Sequence, residues 1–386
     1  MAVPVAYNFY SLAARWRSVL GAGLGIALTV AVFILVLALA DGLRATYLNT
    51  GDGLNLLVLR KGALAESSSQ ITPEEARHIE VLDGIARNAQ GEPLASAEVI
   101  VLATLSRNGG GKAQVQIRGL GPAGRQLRQE VRIVEGRMFR PGLRECVASR
   151  SIARRFANCG LGQTFGSGKR TWKVVGLFDA HQTAYDSEVW VDADEAREAF
   201  NRSFYGSLAL RPLNESAADS LIRRIADDRQ VRLRALTEVD YYREQTKTAG
   251  PLRLFGLCLA LIMGLGATFS AMNTMYALVG LREPEIGILH ALGFSRRSIC
   301  VAFMLEALVI ALAGGLLGCL LCLPLQGLAT GTFNWRSFAE VAFEFRVTGR
   351  LLAGGMVFAA VIGLLGGLLP ALLAARKRTA EALAGN

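Results

Sequence analysis

Histidine is nearly missing from this 386-residue chain. His78, His181 and His290 are all it has, and no two are close in sequence. No His-Glu-x-x-His metal site occurs, and no Gly-x-Ser-x-Gly nucleophile turn. Only 19% of the residues are charged and 52% are apolar, so the bulk of the chain is not disordered. Ten prolines beside 42 glycines show no triplet period, which excludes a collagen-like chain. No repeat of 20–50 residues is visible, and no paired broken helices mark a duplicated transporter. Basic stripes with interleaved aromatics are lacking too. Between Asp41 and Gly250, 30 basic residues stand against 26 acidic ones, so the overall charge of +10 does not indicate nucleic acid.

Two motifs look catalytic and fail in detail. Gly166-Ser-Gly168-Lys169-Arg170-Thr171 has Arg170 where a phosphate loop needs its magnesium-binding hydroxyl, and a strand follows where a helix is required, so it reads as a β-turn. His181 lies near Asp179 and Asp186, which reads as a solvated loop rather than a site. No catalytic and no metal constellation results.

What is present is long apolar runs. Mean hydropathy is +0.33. The excess sits in Val19–Ala40, Leu254–Leu281, Ile299–Ala329 and Leu351–Ala375. The first has 22 uncharged residues, about 33 Å as a helix and enough to cross a hydrocarbon core of about 30 Å. Ala38-Leu39-Ala40 resembles a signal-peptide cleavage site, but the run exceeds the usual 7–15 residues, so it is expected to stay as a span. The predicted organisation is a cytoplasmic interfacial helix within 1–18, spans at 19–40, 251–281, 299–329 and 351–375, and an outer segment at 41–250. A cytoplasmic segment at 282–298, a short outer loop at 330–350 and a cytoplasmic tail at 376–386 complete it. Arg15, Arg17, Arg282, Arg296, Arg297, Arg376, Lys377 and Arg378 fall on one side and set both termini in the cytoplasm. The fold class is four transmembrane α-helices, one plus three, with an α+β extracytoplasmic domain inserted between helices one and two. Thr237-x-x-Asp240 is expected to start a helix running into span two as a stalk, with Pro251 a kink point.

Cys146 and Cys159 form a candidate disulfide, with a pair of small buried thiols as the open alternative. Cys319-x-x-Cys322, inside a span, reads as helix packing. Glu306 is an ionisable residue within a span and so a site by default. Among the spans only Asn273 is comparably polar, so a hydrogen bond between helices is favoured over a proton relay.

The segment after span two is the most informative. Glu283, Pro284 and Glu285 suit the first turn of a helix. Gly293 can end it, with Phe294, Ser295, Arg296 and Arg297 beyond. Two turns are not stable alone, so the apolar face of Ile286, Leu289, Leu292 and Phe294 must pack on something: the bilayer surface or a groove of a cytoplasmic protein.

Here the chain resembles the permeases of the FtsX-like/MacB-like superfamily of ABC transporters. Glu285-Ile286-Gly287-Ile288, Ala291-Leu292-Gly293 and Ser295 match the coupling motif of that family. Val134-Glu-Gly-Arg137-x-Phe139, Leu161-Gly-Gln-Thr-Phe165, Trp172-Lys-Val-Val-Gly176 and Gly314-Gly315-Leu-Leu-Gly318 are similar to its other signatures, while Phe294, Pro284 and the tail depart from them. The resemblance implies a permease subunit in the cell (inner) membrane with no catalytic site and no cofactor of its own. ATP and magnesium would bind in a separate ATPase, present in two copies. A second permease copy or homologue is implied, membrane lipids surround the spans, and a membrane-fusion protein or lipoprotein is a further candidate partner. ATP-driven motion would pass through residues 283–297 to the outer domain, to export or extract a lipophilic, lipoprotein, peptide or drug-like substrate. The alternative is a non-transporting regulator of a cell-wall hydrolase or signalling partner.

Overall fold

The computed structural model describes residues 16–334 and 337–376. Most of the expected interfacial helix and all but the first residue of the tail lie outside the described residues. Two compact units emerge: 1–41, 251–328 and 345–386 in one, and 42–250 with 329–344 in the other. Helix α1 (Trp16–Leu48) runs from the first unit into the second.

The outer unit is built on a mixed sheet of ten strands. In chain order its elements are β1 (Leu56–Arg60), α2 (Pro73–Glu80), β2 (Ala95–Ser106), β3 (Lys112–Leu120), β4 (Arg132–Gly136), β5 (Glu145–Ser149) and α3 (Arg150–Arg155). They continue with β6 (Thr164–Ser167), β7 (Arg170–Asp179), β8 (Glu188–Asp192), α4 (Ala193–Ala199), β9 (Ser207–Leu210), α5 (Glu215–Asp227), β10 (Leu233–Thr237) and α6 (Glu238–Gln245). The strand order is β10-β1-β9-β2-β3-β8-β5-β7-β4, with β6 paired to β7. Only β3–β8 and β5–β7 are parallel.

Strand β2 joins two lobes. Its first residues, Ala95–Glu98, pair with β9, and Val99–Ser106 pair with β3. One core gathers Val101, Ile117, Trp172, Val174 and Val191. The other gathers Leu56, Val58, Ile71, Leu208 and Leu221. Helix ends are set locally. Thr72 and Glu75 exchange side-chain-to-amide bonds of 2.9 and 3.2 Å, and Thr237 Oγ1 accepts the Asp240 amide at 3.1 Å. The phosphate-loop look-alike is the β6–β7 hairpin, turning at Gly168 with φ +67°.

The loop expected at 330–350 is a β-hairpin, β11 (Ala329–Phe333) and β12 (Glu340–Glu344), folded into the outer unit. The Ala342 amide bonds Ser187 Oγ at 2.6 Å, and Glu340 pairs with Arg107 and Arg155. Helix α6 does not pass unbroken into the next span: a 3-10 turn at Thr246–Thr248 separates it from α7 (Ala249–Gly280).

The remaining helices are α8 (Glu283–Ala291), α9 (Arg296–Cys322) and α10 (Gly349–Arg376). Four helices are long and apolar enough to cross a membrane, over Leu20–Leu48, Arg253–Gly280, Arg296–Leu325 and Gly349–Arg376. Glycine sets their close approach. A Cβ on Gly314 or Gly318 would lie 2.6 or 2.5 Å from the carbonyls of Gly23 and Ala27 on α1, and one on Gly315 would lie 2.6 Å from the Ala359 Cβ on α10. Small residues at helix contacts are the usual route to tight packing in lipid. Cys319 and Cys322 are buried at the same contacts, where the Cys322 thiol lies 3.5 Å from the Ala31 carbonyl.

Candidate functional site

Helix α8 is short and its limits are written in its sequence. Arg282 precedes it, Pro284 sits in its first turn with Glu283 and Glu285, and the left-handed Gly293 (φ +87°) closes it. The Phe294 amide returns to the Leu289 carbonyl at 3.1 Å. Ser295 then caps α9, its side chain accepting the Ser298 amide at 3.2 Å.

Glu306 is buried on α9 and is held by Arg282, with Nη1 to Oε2 at 2.8 Å. Arg282 is itself only 3% exposed. Its Nε donates to Glu285 at 2.9 Å and its guanidinium lies 5.2 Å from the Phe303 ring centre. One side chain therefore ties the start of α8 to its own first turn and to α9. Asn273 is not part of this site, being exposed on α7. The sequence reading used Arg282 only as a topology charge. The signal that could have found its role is the buried acid itself, since a carboxylate within a span calls for a cation at matching depth.

The two faces of α8 divide differently from expectation. Ile286 is buried among Met275, Leu278, Ile299 and Phe303, and Leu289 and Phe294 pack partly against the same cluster. Ile288 (52% exposed) and Leu292 (66%) point outward, together with Leu281 at the end of the preceding helix. The expected single face of Ile286, Leu289, Leu292 and Phe294 thus splits: Ile286, Leu289 and Phe294 pack inward and Leu292 faces out. Gly287 is buried, Glu283 and Glu285 are half-buried, and Pro284, Ala291, Gly293, Ser295, Arg296 and Arg297 are exposed. The outward face offers exposed apolar side chains, followed in the chain by exposed Arg296 and Arg297.

The outer unit holds a second buried constellation. Arg118 donates to Glu66 and Glu98 at 2.7 Å and to Glu188 at 2.7 and 2.8 Å, and Arg128 grips Glu98 at 2.6 and 2.8 Å. Ser207 Oγ donates to Glu66, Trp190 Nε1 to Glu188, and Tyr185 to Glu238. Burial alone would raise the Glu66 carboxyl, but the charge and hydrogen bonds of Arg118 outweigh it and hold the group below the usual carboxylate range. Burial pushes Tyr185 up, and Glu238 adds to the effect. This cluster lies where β2 passes from β9 to β3. Among the described residues no group of three or more His, Cys, Asp or Glu side chains is placed to hold a metal ion. Cys146 and Cys159 stand as free thiols in the core of one lobe, the arrangement of the open alternative of two small buried thiols. Burial pushes Cys159 up to about 11, and Cys146 further.

The family model for the MacB-like periplasmic core domain matches residues 20–228, and that for the FtsX-like permease C-terminal region matches 257–379. The chain is an ABC transporter permease of the FtsX/MacB superfamily. Its relatives include a macrolide export ATP-binding/permease protein MacB of Rhodopseudomonas palustris (strain HaA2), 25% identical over 90% of this chain and 55% of that protein. They also include the uncharacterized ABC transporter permeases YvrN and YknZ of Bacillus subtilis (strain 168). YvrN is 27% identical over 56% of this chain and 47% of its own length, YknZ 33% over 32% and 28%. The permease spans about half the length of the curated relatives it matches. Among solved structures it is similar to the periplasmic region of MacB from Actinobacillus actinomycetemcomitans, at 13% identity and TM-score 0.39, covering 52% of this chain and 94% of that one. The multi-pass architecture with a large extracytoplasmic segment agrees with this membership.

Proposed function

We propose that the permease converts ATP-driven motion of an ABC ATPase into work on a substrate handled by its outer domain. Helix α8 is the coupling element: the ATPase docks on Ile288 and Leu292, and a push on α8 is passed to α9 through the Arg282–Glu306 pair. A second permease copy completes the assembly. The observation that carries this reading is the clamp, because a two-turn helix can transmit displacement only if it is fixed to what it moves. Among the described span residues, buried polar side chains are few, Thr29, Thr46 and Glu306 among them. That favours a lipophilic, lipoprotein, peptide or drug-like substrate taken up from the outer side over a hydrophilic one threaded through the spans, in keeping with relatives named for macrolide export.

The test is ATPase capture. Ile288→Asp and Leu292→Asp should abolish copurification of the ATPase in mild detergent while insertion and folding stay normal, since both side chains point outward. Undiminished copurification from both variants would remove α8 as the docking element.

A further inference from the structure

The helix α3, the loop after β7 and the strand β12 enclose a pocket of about 380 Å³ in the outer unit, within the size range of small-ligand sites. Charges of both signs line it. From α3 come Arg150 and Arg154, and from the other two elements Asp179 and Glu344. The arginines are available. Arg154 makes no ion pair among the described residues, and the carboxylate paired to Arg150, Glu135, is 3.7 Å away with both groups well exposed, a weak contact. Ser151 also lines the pocket, and its Oγ, closed off from solvent, has no hydrogen-bond partner among the described residues. A buried hydroxyl without a partner is unusual.

The loop is held in a strained form. His181 and Gln182 are both left-handed, with φ of 53° and 62°. Asp179 accepts the His181 amide at 2.8 Å, Asp186 accepts the amides of Ala180 and Gln182, and Gln182 Nε2 donates to Glu344 at 2.6 Å. Such strain is concentrated at ligand clamps and switches.

We propose that this pocket binds a zwitterion carrying a phosphate and an ammonium, the chemistry of a phosphoethanolamine headgroup. Arg150 and Arg154 take the phosphate oxygens, for which guanidinium geometry is suited. Glu344 and Asp179 take the ammonium. The site is independent of how the ATPase docks.

The experiment uses the full chain in dodecyl maltoside and phosphate-free buffer, with isothermal titration of three probes: dihexanoyl-phosphatidylethanolamine, free O-phosphoethanolamine and dihexanoyl-phosphatidylglycerol. Saturable binding of the ethanolamine lipid is expected, weakened at least about tenfold by Arg150→Ala/Arg154→Ala. Both arginines are partly or fully exposed, so the variant should fold, which its unfolding curve checks. Glu344→Gln should erase the preference for ethanolamine over glycerol. If free O-phosphoethanolamine binds as tightly as the lipid, the zwitterion site stands and its source is soluble. No saturable binding of either ethanolamine probe, equal affinity in the double arginine variant, or equal affinity for the glycerol lipid in the wild type would overturn the proposal.

Discussion

The clamp between Arg282 and Glu306 can be put to a double-mutant cycle. Both side chains are nearly closed to solvent, at 4% and 2% exposure, and meet at 2.8 Å. Arg282→Met strips the buried Glu306 of this guanidinium, and removing one partner of a buried pair costs about 3–5 kcal/mol. Glu306→Leu is milder, because Arg282 keeps its 2.9 Å bond to Glu285 and its place over Phe303. The loss is then near that of one charged hydrogen bond, about 1.5–3 kcal/mol. Replacing both by apolar groups of similar size is often nearly neutral. The two single losses should therefore not add, and the cycle should give a coupling of at least about 3 kcal/mol. Equilibrium unfolding in dodecyl sulfate mixed micelles, followed by circular dichroism of the helices, reads the four free energies. The doubly apolar variant adds a functional arm: it should fold and insert, yet lose stimulation of the ATPase. A coupling below about 0.5 kcal/mol, or full stimulation in the doubly apolar variant, would refute the clamp.

Leu289→Asp places a carboxylate against the cluster of Ile286, Ile299 and Phe303 and should lower stability by about 2 kcal/mol or more, unlike Ile288→Asp, in the same unfolding assay. For the outer unit, Glu66 is depressed below its ordinary 4.5 in the folded state. Its contribution is thus present above pH 4.5 and is lost as pH falls through the lower folded value. Ser207→Ala removes a 2.7 Å donor to that carboxylate and should move the acid transition, seen in Trp190 fluorescence, to higher pH. Cys146 and Cys159 should resist a water-soluble maleimide in the native protein and both react after denaturation without reductant. A mass two units short in the unreduced denatured chain would restore the disulfide.

Much of the architecture is legible in local chemistry. The spans show themselves because length and apolarity are properties of a window. The ends of α8 follow from Pro284 and Gly293, and the start of α6 from Thr237. What escapes local reading is burial that depends on distant partners. Strand β8 begins with Glu188 and ends with Asp192, which masks it in sequence. Yet Glu188 is buried because Arg118, 70 residues earlier in the chain, lies beside it through the parallel pairing of β8 with β3. The β11–β12 hairpin looks like a plain loop because Glu340 becomes an interior residue only once Arg107 and Arg155 arrive.

The same cause hides from local reading which part of the apolar side of α8 packs inward. At about 100° per residue Ile286, Leu289, Leu292 and Ile288 fall within one arc of about 160°, so spacing marks an apolar side but not which part of it packs inward. Tertiary contacts divide it: Arg282 ties the start of the helix to Glu306, Ile286 and Leu289 pack with Ile299 and Phe303 of α9, and Ile288 and Leu292 are left outside. A buried ion pair is a poor source of net stability but a strict one of register. In the outer unit Arg118 and Arg128 do the equivalent for β2, holding Glu98 where that strand leaves β9 for β3. In each unit, then, the residue that fixes the geometry is an arginine closed off from solvent. An arginine on the page gives no sign of its burial until its carboxylate has been found.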